Sequence, residues 1–330
     1  MNILVTGATG FLGSHLTTAL LTQGHQLTLL GRDFTMMQPQ LAAGATALRA
    51  DLRNRSTVMA ACAHQDLVYH VGALSTAWGK WADFYQTNVA GTRAVVDGCL
   101  HHGVGRLVYV SSPSVIFDGH DHHEIDERCP YPQRFSSAYA ATKKLGEDLV
   151  NAAYRKGLPT VILRPKAIFG PGDRALLPRL IERARQKRLP QLGNGQNLVD
   201  LTYVDNVVHA LLLAAKADAA VGKTYFITNG EHCPLWPTIR AVLRKLQLPT
   251  ALRRIPIGLA LLIARLLELN AQRTGREPLL TRYTVGILAR TQTYNISAAQ
   301  RDLGYEPLVS VAEGLARTLA AITTAEGSHQ

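Results

Sequence analysis

The sequence predicts an α/β fold: a doubly wound parallel sheet followed by a smaller, mainly helical substrate domain. Three observations carry that expectation. A strand, a glycine-rich turn and a helix open the chain, strand and helix patterns alternate through the first half, and after Gly170-Pro171-Gly172-Asp173 the alternation loosens into helices with few strands. Alternating β and α elements imply right-handed crossovers, and such sheets bind ligands outside the carboxyl ends of their strands. The expected division is 1–172 for the sheet domain and 173–330 for the substrate domain, with some segments of the second half returning to the sheet.

The opening unit is MNILVTGATGFLGSH. Ile3, Leu4 and Val5 suit a buried parallel strand, and Leu12, Leu16, Leu20 and Leu21 share a face of a helix over Phe11 to Thr22. Between them Gly7 permits a tight turn, Gly10 close approach of phosphates, and Gly13 packing of helix on strand. Backbone N–H groups of Thr9, Gly10, Phe11, Leu12 and Gly13 then surround a helix N-terminus, where a pyrophosphate sits well. The unit therefore predicts dinucleotide binding in a Rossmann domain. Further strands are expected at Leu27 to Leu30, Thr46 to Ala50, Leu67 to Val71, Arg106 to Ser111 and Thr160 to Leu163. Helical patterns cover Trp81 to His101 and Ser136 to Arg155. In the second half Leu176 to Arg188, Val204 to Lys216, Trp236 to Leu246 and Val311 to Ile322 read as helices, Thr224 to Thr228 as a short strand, and Thr323 to Gln330 as a frayed tail.

Composition narrows the class. The 330 residues are 47% hydrophobic and 18% charged, with a formal charge of +11. A basic balance suits nucleic acid, an anionic membrane, an anionic ligand or merely a soluble surface. No RNA-binding aromatic motif or zinc-finger spacing accompanies it, so nucleic acid is not expected. Cys62, Cys99, Cys129 and Cys233 form no CxxC pair, which fits a reduced cytoplasmic setting without structural metal. No signal peptide is expected ahead of the first strand, and Ile255 to Leu267, broken by Arg265, is too short to span a bilayer.

Ser136-Ser137-Ala138-Tyr139-Ala140-Ala141-Thr142-Lys143 carries the second informative pattern. Tyr139 and Lys143 stand four apart on a helix and so share a face. A fixed ammonium there is expected to lower the phenol's pKa and let it exchange a proton with a substrate oxygen. Val108-Tyr109-Val110-Ser111-Ser112-Pro113-Ser114 is a buried strand ending in hydroxyls, placed to bind a carbonyl. Alone, a YxxxK pair is weak; with the nucleotide turn and the serines it makes a hydride-transfer constellation.

TGATGFLGSH, TNVAGTR (87–93), VSSPSV (110–115), YAATK (139–143) and RPKAIFGPGD (164–173) resemble, in order and spacing, the extended short-chain dehydrogenase/reductases. SPSVIFDG (112–119), GNGQNLVDLTYVDNVVHA (193–210) and GYEPLVSVAEGL (304–315) are most similar to the 3β-hydroxysteroid dehydrogenase branch. That branch includes sterol-4-carboxylate 3-dehydrogenases and bacterial 2-alkyl-3-oxoalkanoate reductases, toward which WGKWADFYQTNVAGTR (78–93) leans. The resemblance implies Tyr139 as acid/base, Lys143 on the ribose hydroxyls, and Ser112 polarising the substrate carbonyl, ahead of Ser111 and Ser114. It implies that Asp51 and Leu52 bracket the adenine, that Gly72 and Ala73 pass close to the cofactor, and that Pro165 to Phe169, with Ile168, line the nicotinamide. Lys166 stands where relatives often carry histidine. Asn88 would tie the central helix to the active-site strand. A homodimer through the Trp81–His101 and Ser136–Arg155 helices is also implied.

The end of the second strand bears on the cofactor. NAD enzymes of this fold place a carboxylate there for the ribose 2′-hydroxyl. Here Gly31 stands at that position and Arg32 follows, which favours the 2′-phosphate of NADP(H); Asp33 keeps NAD(H) open.

The resemblance implies a further contrast. Nucleotide-sugar epimerases and dehydratases commonly carry an arginine for the phosphates where Val199 stands, which points to a small hydrophobic 3-oxo or 3-hydroxy substrate. A 2-alkyl-3-oxoalkanoate reductase is the leading reading and a 3β-hydroxysteroid or sterol-4-carboxylate dehydrogenase the alternative. A nucleotide-sugar epimerase comes third, and an NADP-binding redox-sensing regulator is the rival from another class. Ala251 to Arg265 joins arginines to an apolar run that suits a core helix, an acyl or steroid pocket, or peripheral contact with an anionic membrane. Trp78, Trp81 and Tyr85 suit pocket lining and helix packing equally. The acidic and histidine-rich stretch Asp118 to Glu124 matches no standard metal spacing and reads as a substrate rim.

Overall fold

The computed structural model describes residues 1–173 and 176–327. Its centre is a sheet of seven parallel strands: β1 (Asn2–Thr6), β2 (Gln26–Gly31), β3 (Thr46–Arg49), β4 (Leu67–His70), β5 (Arg106–Val110), β6 (Thr160–Pro165) and β7 (Thr224–Ile227). They lie in the order β3-β2-β1-β4-β5-β6-β7, the Rossmann arrangement whose order reverses beside β1. Alternate residues serve opposite faces, as a sheet covered on both sides requires. Ile3, Val5, Tyr69 and Val108 meet Leu16, Leu20, Val207 and Leu211 on one face. Leu4, Val68, Leu107 and Tyr109 meet Val58, Val95, Cys99 and Val150 on the other.

One feature agrees with the expectation that some second-half segments return to the sheet, and three depart from the sequence reading. The strand expected in the second half is the outermost strand of the main sheet, paired in parallel with β6 from Thr224 opposite Ile162 to Ile227 opposite Pro165. The single helix expected over Trp81 to His101 is three pieces: α-helix Trp81–Phe84, π-helix Tyr85–Ala90 and α-helix Gly91–His102. Asn88, in the widened turn, gives its side chain to partners outside the helix, as such insertions commonly do at functional sites. The second half also holds short strands, among them Leu198–Asp200, His232–Pro234 and Gln292–Tyr294, which join His122–Ile125 in a small sheet. Segments of three or four residues are too short for alternation to be legible. Finally, the helix expected to end at Ile322 runs from Val311 to Gly327.

A buried amide cluster ties this half to the sheet. Asn206 Oδ1 accepts from the Leu308 and Val309 N–H groups at 2.8 and 3.0 Å. Asn206 Nδ2 and Asn229 Nδ2 both donate to the Val309 carbonyl. A separate apolar cluster around Trp236, Leu243, Ala260, Ala264 and Val285 organises the helices of the second half.

Candidate active site

The glycine turn leaves no room for side chains. Gly7 has φ +68°, and a Cβ there would stand 2.5 Å from the Gly72 Cα. A Cβ on Gly13 would stand 2.1 Å from the Gly7 carbonyl oxygen. Gly10 caps helix Phe11–Thr22 with no side-chain bond, so its first-turn amides face the strand ends without a capping partner. The cradle fits a dinucleotide's phosphates in shape and donor chemistry. Leu12 is buried beneath it, while Thr9 and Phe11 are half-buried at its rim.

At the end of β2, a Cβ on Gly31 would stand 2.6 Å from the Thr9 side chain, so Thr9 fills the space an acidic residue would need. Arg32 is exposed there. Its register neighbour on β3 adds a residue that sequence reasoning missed: Gly31 pairs with Arg49, whose Nε donates to the Arg32 carbonyl at 2.9 Å. Asp33 is turned onto the Thr35 N–H and hydroxyl at 3.0 and 2.6 Å. Asp51 is held by Arg53 at 3.0 Å through both carboxylate oxygens, which keeps its pKa below the usual carboxylate value.

Buried His70 ends β4 and organises the next turn. Thr92 Oγ1 gives its proton to the Asn88 carbonyl at 2.6 Å, so His70 Nε2 donates to Thr92 at 2.9 Å. His70 Nδ1 then accepts the Thr6 hydroxyl at 2.7 Å, and Thr6 Oγ1 accepts the Gly72 N–H at 3.3 Å. Burial, with Lys143 nearby, pulls His70 down to about 3, so it stays neutral and the chain keeps one direction. Half-buried Ala73 follows Gly72. Asn88 clasps Leu74 through both its N–H and its carbonyl, at 2.7 and 3.0 Å, and donates at 3.1 Å to Thr142 on the helix that carries Tyr139.

That helix is Ala138–Tyr154, capped by Ser137, whose side chain accepts the Ala140 N–H. It brings Tyr139 to Ser112 at the end of β5. Ser112 Oγ accepts from Ser114 N–H and Ser114 Oγ at 3.2 and 3.0 Å, which leaves its own proton for an acceptor on the Tyr139 side. The expected lowering of the Tyr139 pKa is overturned here. Burial raises it, opposed only by Ser112. The reason is geometric: Lys143 Nζ donates to the Val110 carbonyl at 2.6 Å and lies 4.1 Å from the centre of the Tyr109 ring. Burial also brings Lys143 down to about 7, with Glu147 opposing.

Behind the lysine lies a buried ion pair that no motif announced. Arg164 on β6 donates through Nε and Nη2 to both Glu147 oxygens at 2.8 and 2.7 Å, and the Tyr131 hydroxyl donates to Glu147 at 2.7 Å. Burial would raise the Glu147 pKa, but Arg164 holds it below the usual value. The following loop contains Pro165, buried, then Ala167 at φ +43°, an uncommon conformation for a side-chain-bearing residue, and half-buried Ile168. Lys166 is buried and donates to Gln292 Oε1 at 2.6 Å; burial brings it to about 8.

The second half supplies a residue invisible to motif reading. Half-buried Tyr283, on helix Arg282–Ala289, lies near Tyr139 and Ser114, and burial raises its pKa. Val199 is buried against Gln292 in the small sheet and offers a phosphate no cation. The Asp118 to Glu124 stretch spends its groups on protein partners: Asp118 meets His122 at 3.1 Å, and Glu124 meets His232 at 3.1 Å. Trp81 and Tyr85 form a tilted surface pair with ring centres 6.3 Å apart rather than packing the core.

Residues 4–256 match the model of the 3-beta hydroxysteroid dehydrogenase/isomerase family. The chain belongs to that family. It is 41% identical to the 2-alkyl-3-oxoalkanoate reductase of Stenotrophomonas maltophilia, over 97% of this chain and 99% of the relative. It is 34% identical to the decarboxylating sterol-4-alpha-carboxylate 3-dehydrogenase of Mus musculus, over 96% and 89% of the two chains. Among solved structures it resembles MoeE5 in complex with UDP-glucose and NAD, with TM-score 0.78 and 26% identity over 99% of this chain and 100% of that one. Family membership makes the protein an NAD(P)-dependent oxidoreductase acting on a CH–OH or C=O group. Among the described residues no helix is long and apolar enough to cross a membrane.

Proposed function

We propose that this 3β-hydroxysteroid dehydrogenase family member reduces 2-alkyl-3-oxoalkanoates with NADPH. The observation that carries the substrate reading is the near-full-length likeness to the bacterial 2-alkyl-3-oxoalkanoate reductase. The nicotinamide, when bound, supplies or accepts the hydride. Tyr139 gives its proton to the ketone oxygen in reduction and takes the hydroxyl proton in oxidation. Ser112, its oxygen already accepting two bonds from Ser114, directs its own proton at the reacting oxygen. Burial keeps Tyr139 protonated through neutral pH, which suits the reducing direction.

Gly7, Gly10, Gly13, Gly72 and the amides around Thr9 to Leu12 would hold the phosphates, with Asp51 and Leu52 at the adenine and Ala73, Pro165 and Ile168 near the nicotinamide. Lys143 would hold the ribose. Arg32 and Arg49 would take the 2′-phosphate, and Thr9 beside Gly31 supports that choice by filling the space of a competing carboxylate.

The test is oxidation of a 2-alkyl-3-hydroxyalkanoate and of a 3β-hydroxysteroid, each with NADP⁺ and NAD⁺. Turnover of the hydroxy acid with NADP⁺ is expected. Turnover of the steroid alone would transfer the reading to the sterol branch. The exposed Trp81–Tyr85 pair supports a homodimer across its helix, testable by sedimentation of Trp81→Ser. Outward Leu259, Leu262 and Leu266, flanked by Arg265 and Arg273, support contact with an anionic surface, testable by flotation on phosphatidylserine vesicles.

A further inference from the structure

Beside the site lies a cavity of about 700 Å³, counting the part open to solvent. Its wall comes from elements far apart in sequence. Leu180 stands on helix Leu177–Arg185, Ile239 and Val242 on helix Leu235–Lys245, Val199 in the small sheet and Ile287 on helix Arg282–Ala289. Protein interiors are close-packed, and unfilled apolar space costs stability because its lining atoms lack contacts on one side. The apolar lining, partly open to solvent, suits an apolar ligand.

The polar groups on the wall are already engaged. Lys166 donates to Gln292, and Asp200 accepts the Tyr294 N–H at 2.8 Å while pairing with His232 at 2.6 Å. Thr238 donates its hydroxyl to the Pro234 carbonyl at 2.8 Å. Apart from these groups the wall is built of apolar side chains, which offer a sugar or an oxygenated ring little to bond. The fitting occupant carries no polar atoms along its length.

The cavity also connects to the chemistry. Lys166 and Ala167, which follow Pro165 at the end of β6, line the cavity, and so does Ile287, four residues on from Tyr283 along the same helix face. That step is ~6 Å along a helix. We infer that the cavity bounded by Leu180, Val199, Ile239, Val242 and Ile287 is the subsite for one unbranched alkyl chain of the substrate, laid along helix Arg282–Ala289 from the carbonyl at Tyr139. The inference rests on the proposed reductase activity for its substrate, but not for its test.

Two measurements separate them. In the first, dodecanoate is titrated calorimetrically into the wild type and into Ile239→Trp, which fills the cavity. The wild type binds with a negative heat-capacity change, and the filled variant loses at least ~10-fold in affinity. Equal binding by both proteins overturns the subsite whatever the enzyme turns over. In the second, decyl- and methyl-branched 3-hydroxyalkanoates of otherwise equal length, and a matched pair differing in the main chain, are oxidised with NADP⁺. Ile239→Trp loses at least ~10-fold in kcat/KM for the longer member of one pair and stays within ~2-fold for the shorter member. Equal losses for both members of both pairs, with a melting curve that shows the variant folded, place the chain elsewhere. Should Ile239→Trp fail to fold, Ile239→Ala replaces it: enlarging the cavity shifts preference toward the longer member, and no shift overturns the subsite. If the wild type oxidises neither acid while dodecanoate binding still depends on Ile239, the activity assignment falls and the alkyl subsite stands.

Discussion

The sheet ends and the cavity lobe, which the proposed function assigns to one substrate, are built by opposite rules. Around Tyr139 nearly every group is polar, buried and hydrogen-bonded: Lys143 to Val110, Glu147 to Arg164, His70 between Thr6 and Thr92. Around Ile239 the wall is aliphatic and its few polar groups point away into bonds of their own. Chemistry needs atoms held to a fraction of an ångström, which directional bonds provide. Chain selectivity needs volume without partners, which apolar side chains provide. The comparison teaches that reaction and selectivity here are separately adjustable.

The sharpest way to break that separation is to remove the proposed proton donor. Tyr139→Phe is expected to lower kcat by roughly 10²–10⁴-fold for long- and short-chain substrates alike, with little change in substrate binding. A chain-length-dependent loss in steady-state kinetics would show that the two regions are coupled. Next in size is the ion pair. Arg164→Met leaves the buried Glu147 charge without its guanidinium partner and is expected to destabilise the protein by about 3–5 kcal/mol in urea unfolding, whereas a variant on the cavity wall such as Val242→Ala should leave catalysis of short substrates intact.

At the cofactor rim, replacing Arg32 and Arg49 by alanine is expected to cut the NADP⁺-over-NAD⁺ preference by roughly 10–100-fold, the worth of hydrogen bonds to a charged group. An unchanged ratio of kcat/KM values would move the 2′-phosphate site elsewhere. The smallest effect is a pH slope. Lys143 titrates near 7 in the folded protein, below its unfolded value, so between pH 7 and about 10 the unfolded chain binds the extra proton. Stability is expected to rise with pH across that window through this group, and Lys143→Met should flatten the rise in denaturation midpoints. Lys166, on the cavity side, is brought only to about 8, so its contribution begins about one pH unit higher and is smaller in total.

How much was legible follows from the same contrast. The glycine turn and the Tyr139–Lys143 pair were readable because their parts are covalent neighbours, and helix or turn geometry converts their spacing directly into proximity. Ser112 was readable because a strand end in a doubly wound sheet is itself a place for reactive groups. Arg49 was not, because it reaches Gly31 only through the parallel register of β2 and β3, which no local pattern encodes. Tyr283 and Arg164 reach the catalytic helix from positions far along the chain. The lysine's effect on the phenol was misjudged because spacing places two side chains on one face without saying where each one's hydrogen bond goes.

By itself, then, the sequence determined the Rossmann sheet, the phosphate turn and the family membership, because alternation and short motifs act over a few residues and survive without knowledge of the rest. Only the tertiary structure decided that Thr224–Ile227 closes the main sheet, that Lys143 turns to Val110, and that Leu180, Val199, Ile239 and Ile287 line one cavity. Each of these is a meeting of segments separated by tens of residues, settled by which surfaces bury best together rather than by what any one segment prefers.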